Sequence, residues 1–422
     1  MMIGSRIKYY RINSSLTQEE LCKGICSPSY LSKVENNNMD PSEEILRLLC
    51  DKMKISVNLI KNMDESELNK KIENWYELLQ GNAEKNILKE QFEEMNKLFN
   101  SILATYPALK FKLFSIKYFI KLEDYNALDF QIKDLKKYQT AMSDDLLFYF
   151  CYLSGVCYYV QKQYCHAEEQ LLISLEKLQN LTRPTDSFNY ELGDIFYYLS
   201  LCYGKLYKTH KTKEFALKSL EIADQSLDYL QQIKLYVILG INEGRTKSYR
   251  KATEYYQRAI KIAEAINHDS YTQIIHHNLG YLYSLQDKHL EAIAYYEKSL
   301  KYGSAKNINR LVTTYFCLAR EYKYINQLKK MKGMIKKGRE LITDNKEYIH
   351  HFNMLELSNT DSLFQNKQYI KEEVIPFFCD LNQWKYVMEY AEIMANSLEA
   401  NFQYKEAAKL YKIAFSAQKK LM

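Results

Sequence analysis

Apolar positions at helical spacing begin at the third residue. Ile3, Ile7 and either Tyr10 or Arg11 share one side of a predicted helix over 3–12, with Arg6 and Lys8 towards solvent. From Ser14 to Asn38 the signals tighten. Thr17 stands three residues before Glu20, the spacing of a capping box, and Gly24 follows as a stop, which predicts a short helix over 17–23. Ser27-Pro28 opens the next helix, because a serine oxygen accepts an orphan amide and proline suits the first helical position. Leu16, Leu21, Ile25, Leu31 and Val34 then face one small core. Gln18, Ser29, Tyr30, Ser32, Lys33 and Asn36 are left outside. Asn36-Asn37-Asn38 turns the chain, Pro41–Glu44 starts a fourth helix carrying Ile45, Leu46, Leu48 and Leu49, and Ser56 caps a fifth through Ile60.

Two short helices meeting at a tight turn, the second with a polar outward face, follow the plan of a helix-turn-helix whose second helix fits a major groove. Beyond it, Leu68, Ile72, Trp75 and Leu79 form a narrow stripe over 64–80, read as a linker helix. Four internal units come next. Gly155, Tyr158, Ala167, Leu171 and Ser174 stand at tetratricopeptide offsets, as do Gly204, Tyr207, Ala216, Leu220 and Ala223. Gly240, Ala252, Tyr256 and Ala259 make a third set, and Gly280, Tyr283, Ala292, Tyr296 and Ser299 a fourth. Their glycine spacings of 49, 36 and 40 exceed the usual repeat of about 34, which predicts enlarged loops, most clearly at 180–190 around Pro184. Weaker phase surrounds these units, at Tyr118 with Ala127, at Leu318, Ala319 and Tyr322, and at Ala407, Tyr411 and Ala414. The expected fold is all-α: a five-helix domain over 1–63, a linker helix over 64–80, and a right-handed solenoid of helix pairs over 81–422 with a groove lined by first helices.

Composition narrows the function. Only 12 glycines and 5 prolines interrupt 422 residues, while 38 tyrosines supply bulky packing faces, so long helices are favoured over strands. With 58 basic against 52 acidic residues the net charge is +6, too small for a global field, and any nucleic-acid contact must be local. Nine cysteines without CxxC spacing argue against a disulfide framework or structural zinc and for a reducing cytoplasm. No signal-peptide plan opens the chain, and the longest uncharged run, 146–161, is too short for a membrane span.

No catalytic constellation emerges: there is no phosphate-cradling glycine loop, no HExxH and no nucleophile elbow, so neither an enzyme nor a cofactor is expected. His276-His277 and His350-His351 are adjacent pairs, which on a helix point apart and cannot share a metal. Asn278, Arg245, His277, Tyr281 and Arg320 fall on first helices at groove-facing positions, as ligand contacts or as ordinary solvated residues. Asn278 is the best of them, since a carboxamide both donates to and accepts from a peptide backbone, and the arginines suit a carboxylate. The basic run Lys329–Arg339 reads as a solvated helix face.

The stretch LTQEELCKGICSPSYLSKVENNNMDPSEEILRLLCDKMKI resembles the Cro/repressor-type DNA-binding domain, over Ile3 to about Met63. That resemblance implies that Gln18 and Asn36 hold phosphates, that Ser29, Tyr30 and Lys33 reach bases, and that Arg11 forms a structural ion pair with Glu35. The sequence departs from the pattern at Asn37, where glycine is common; asparagine tolerates the left-handed conformation. With the repeats behind it, the whole chain resembles the peptide-pheromone receptors of Gram-positive bacteria, the Rap/NprR/PlcR/PrgX family and its Rgg relatives, and is most similar to the NprR and PlcR branch. The resemblance implies a cytoplasmic homodimer or higher oligomer that binds a double-stranded DNA operator under control of a short, secreted and re-imported peptide. The Rap branch implies an alternative, a module that sequesters a response regulator.

Overall fold

The computed structural model describes residues 3–57, 60, 65–81, 83–100, 106–181, 188–303, 307–358 and 362–421, and every regular element among them is helical. No helix of these is long and apolar enough to cross a membrane. The chain divides into two compact units, Met1–Ser226 and Leu227–Met422.

The first unit opens with α1 (Ile3–Asn13), α2 (Gln18–Cys22), α3 (Pro28–Glu35) and α4 (Glu43–Lys52). Ile7, Tyr10, Leu21, Leu31, Val34, Leu46, Leu49 and Cys50 form their core. Two side chains depart from expectation. Arg6 is buried rather than solvent-facing, because its guanidinium donates to the Ile60 carbonyl. Leu48 is exposed, since the buried stripe of α4 runs through Leu46, Leu49 and Cys50 and leaves Leu48 off its edge. Asn37 adopts the left-handed conformation, φ +57°, as its side chain allows. Of the expected fifth helix, Val57 and Ile60 are helical; residues 58–59 and 61–64 lie outside the described residues.

Next come α5 (Glu65–Gln80), α6 (Lys85–Asn100), α7 (Tyr106–Leu122) and α8 (Tyr125–Lys136), then the pairs α9 (Asp144–Val160) with α10 (Tyr164–Gln179) and α11 (Asn189–Lys205) with α12 (Thr209–Gln225). The helix read as a linker is packed along its length: Ile72, Trp75, Tyr76 and Leu79 are buried, and Tyr76 stacks on Phe114 of α7 at 3.8 Å. Beside that stack lies a buried lysine. Lys117 Nζ is 3.1 Å from Asp194 Oδ2 and donates to Tyr190 OH at 3.1 Å, while the rings of Tyr76, Tyr152 and Tyr190 surround it at 5.4, 5.2 and 4.5 Å. Burial pulls its pKa down, but Asp194 and Tyr190 more than reverse that, so the ammonium stays charged. Helices α5, α7, α9 and α11 thus converge on one cation.

The second unit runs through α13 (Tyr229–Arg245), α14 (Tyr249–Ala265), α15 (Asp269–Ser284), α16 (His289–Lys301), α17 (Ile308–Tyr324), α18 (Leu328–Glu340) and α19 (Lys346–Leu357), then a segmented helix over 362–380, α20 (Trp384–Ala400) and α21 (Tyr404–Leu421). First helices touch one another in series, α13 to α15, α15 to α17 and α17 to α19.

The long repeat has a different cause from the one expected. Between α13 and α15 the loops are not enlarged: α13 and α14 are 17 residues each, and three-residue turns close 246–248 and 266–268, which fills the 40-residue period, whereas nine residues separate α10 from α11 where the longest loop is expected. Each turn holds one left-handed residue, Lys247 and then Asn267. Gly240 and Gly280 sit where a Cβ would come within 2.5 Å of the Tyr256 ring and 2.7 Å of the Tyr296 ring, so only glycine lets the paired helices approach. Forty residues before Gly240 stands Ser200, fully buried, followed by buried Tyr203. The second repeat is therefore registered on Ser200 and Tyr203, not on Gly204 and Tyr207; Tyr207 is 77% exposed in a left-handed turn. Of the loop expected at 180–190, residues 182–187 lie outside the described residues.

Candidate functional site

Two surfaces carry the candidate chemistry. In the first unit, Thr17 caps α2: its backbone N–H donates to Glu20 Oε2 at 2.7 Å and its Oγ1 accepts from Glu20 N–H at 3.1 Å. Ser27 Oγ accepts the Tyr30 N–H at 3.2 Å and starts α3. The end of α3 is held from behind. The Glu35 carboxylate, sealed from solvent, receives Arg11 Nε at 2.6 Å, Arg11 Nη2 at 2.9 Å and Gln18 Nε2 at 2.6 Å. Gln18 is half-buried and turned inward onto this ion pair, so its role begins as a brace between α2 and α3. Ser29, Lys33 and Asn36 are exposed on α3 and its cap, and Tyr30 and Ser32 are half-exposed beside them.

In the second unit, residues 39 or 40 apart on successive first helices line one inner face. Ile238, Asn278 and Cys317 share one level; Ile241, Tyr281 and Arg320 the next; Arg245, Leu285 and Tyr324 the last. Apolar groups there meet solvent: Tyr281 is 40% exposed, Leu285 41% and Tyr324 56%. The Asn278 carboxamide is half-buried and makes no hydrogen bond within the described residues. Arg245 is exposed at the end of α13. The C-terminal part of the unit also reaches this face, for Lys385 of α20 lies 5.7 Å over the Tyr281 ring.

His277 and Arg320 are more enclosed. His277 Nδ1 lies 2.9 Å from Thr314 Oγ1, and the ring packs on Tyr296. Burial, reinforced by the Arg310 charge, pushes its pKa down to about 4, so the ring is neutral at pH 7. Arg320 lies 5.9 Å from the Phe316 ring. Burial lowers its pKa, but Cys317, Glu389 and Tyr386 more than offset this, so the guanidinium stays charged. Arg310, Lys385 and Glu389 were not among the sequence candidates, because the phase of the repeats fades near 325–400 and Arg310 precedes the first recognisable position of α17.

The neutral histidine makes stability pH-dependent. A folded pKa near 4 lies below the ordinary value of 6.5, so the unfolded chain binds the proton first, and the stability present above pH 6.5 is lost as pH falls towards 4. At pH 5 the loss is about 2 kcal/mol for His277. Urea unfolding at pH 7 and pH 5 checks this: His277→Gln should narrow the difference between the two midpoints.

A model described as "Helix-turn-helix" matches residues 7–60, and one described as "Tetratricopeptide repeat" matches 231–302. The transcriptional activator NprA of Geobacillus stearothermophilus is 29% identical over 95% of this chain and 100% of its own length. The apo form of the quorum sensor NprR from B. thuringiensis superposes with a TM-score of 0.68 at 18% identity, over 84% of this chain and 98% of that one. By sequence and by fold the chain is thus similar to NprA and to NprR, members of the Rap/NprR/PlcR/PrgX family. A further NprR structure, in complex with its cognate peptide NprX, has a TM-score of 0.60 at 18% identity over 83% of this chain and 99% of that one. The fold is therefore an all-α one, a helix-turn-helix and helix-pair repeats, as in these solved structures.

Proposed function

We propose that this protein is a cytoplasmic quorum-sensing transcription regulator: α3 reads a double-stranded DNA operator, and a short signalling peptide bound on the inner face of the second unit controls it. In this reading residues 1–63 bind DNA, 64–80 connect, and 81–422 bind peptide and form the homodimer or higher oligomer. The observation that carries it is the joint presence of an outward polar α3, braced at its end by Glu35, and an open inner face that mixes apolar groups with an unengaged carboxamide at Asn278. Its similarity to NprA, named a transcriptional activator, and to NprR, solved with its cognate peptide, supports the same reading. Ser29, Tyr30, Ser32, Lys33 and Asn36 are the proposed DNA contacts, and Asn278, Tyr281 and Arg245 the first peptide contacts. The protein is proposed not to be an enzyme.

Gel-shift titration of the full chain against fragments of its host genome, with and without the host's secreted short peptides, tests this. A specific shift that responds to one peptide is expected; no specific shift under any condition refutes it. Lys33→Ala should weaken specific binding more than nonspecific binding. Asn278→Ala should lose about 1–3 kcal/mol of peptide affinity by calorimetry while bare DNA binding is unchanged.

A further inference from the structure

Arg310 occupies the inner-face position on α17 that Tyr271 holds on α15, 39 residues earlier. Its guanidinium is half-buried, and Nη1 is closed off from solvent without a hydrogen-bond acceptor. Among the described residues, the groups around it supply no negative charge. Tyr271 of α15 is held above the ordinary tyrosine range by burial and stays protonated, and His277 of the same helix is neutral. Thr314, on Arg310's own helix, is already engaged with His277 and with the Arg310 backbone carbonyl.

Arg320, the more enclosed arginine of the same helix, differs in feeling the Glu389 carboxylate of α20. Among the described residues no carboxylate forms an ion pair with Arg310, and burial consequently holds its pKa below the ordinary value. A partly desolvated cation without a partner costs stability, and the cost is removed when an anion arrives. The surroundings add to the positive potential: the N-cap of α17, Asn307, makes no side-chain capping bond, and the first turn carries no acidic residue.

We propose that Arg310 is the carboxylate-reading subsite of the inner face, and that it takes an acidic side chain or the C-terminal carboxylate of the bound peptide in a forked ion pair. This rests on the peptide-receptor reading above. It also assigns different roles to two arginines of one helix. The Glu389 charge of α20 already favours the Arg320 guanidinium and would repel a second carboxylate there, whereas at Arg310 the ligand provides the missing charge.

The test is affinity selection on the full-length protein from a randomised heptapeptide library, synthesised once with free and once with amidated C-termini. Expected is enrichment of Asp or Glu at one position, which assigns the side-chain source, or loss of selection on amidation, which assigns the terminus. Arg310→Gln should abolish that preference and weaken the selected peptide by about 10- to 100-fold, while Arg320→Gln keeps the preference. Replacing the selected acid by its amide should cost the wild type the same factor and the Arg310→Gln variant nothing. Arg310→Lys, which keeps the charge without the fork, guards against a folding defect and should recover part of the affinity. Peptides selected without acidic or C-terminal preference, or a preference that survives Arg310→Gln, overturn the subsite alone. An empty selection overturns the peptide-receptor reading and the subsite with it.

Discussion

Asp194→Asn should lower the stability of the first unit by about 3–5 kcal/mol. Lys117 is buried among three tyrosine rings, and Asp194 is the carboxylate that pairs with it directly, with Glu191 acting on it from further away. The amide keeps the size of the side chain and removes the charge, so the ammonium must either lose its proton or draw water into the aromatic box. Lys117→Met should cost much less: a long apolar side chain fits between the rings, and Asp194, at 18% exposure, still has solvent and the Tyr152 hydroxyl to meet it. Urea midpoints of the two variants decide the matter. Equal losses would mean that packing, and not the ion pair, holds α5 to the repeats.

Glu35→Ala should be comparably severe in the front helices, about 3–5 kcal/mol, because it leaves Arg11 without its carboxylate and frees Gln18 at the same time. The end of α3 loses its brace, and operator binding should fall with it. Lys33→Ala offers the contrast, since an exposed lysine contributes little to folding and its loss should act on DNA affinity alone. Hydrogen exchange of residues 3–53 separates the two effects. If Glu35→Ala kept both exchange protection and DNA affinity, the cluster would have no organising role.

The front helices are legible in the sequence because their signals are local. Thr17 with Glu20 and Ser27 with Pro28 fall within one turn of the groups they satisfy. What lies across the fold is less readable: Gln18 turns inward because Glu35, 17 residues away, needs another donor, and Arg6 is buried because the Ile60 carbonyl receives it. In the repeats, glycine was the guide, and it failed at Ser200, where the position forty residues before Tyr256 is the small Ala216 and leaves room for a Cβ. Glycine is required where the facing side chain is a tyrosine, and a serine serves where it is an alanine. On the inner face, Asn278 and Tyr281 stand on a first helix as the repeat offsets place them. Arg310 escaped because its meaning lies in a missing counter-charge, which no spacing along the chain reveals.

The three-residue turns set how such an array can change length. One residue inserted inside α13 or α15 would rotate everything beyond it by about 100°, and the side chains that now line the inner face would swing into the neighbouring helix. Length changes within a helix are therefore excluded, and an array grows or shrinks by whole helix pairs, with small differences taken up in the loops between pairs. The size of guest such a protein accommodates is thus quantised, tuned by the number of pairs and by side chains at fixed rungs rather than by stretching any one helix.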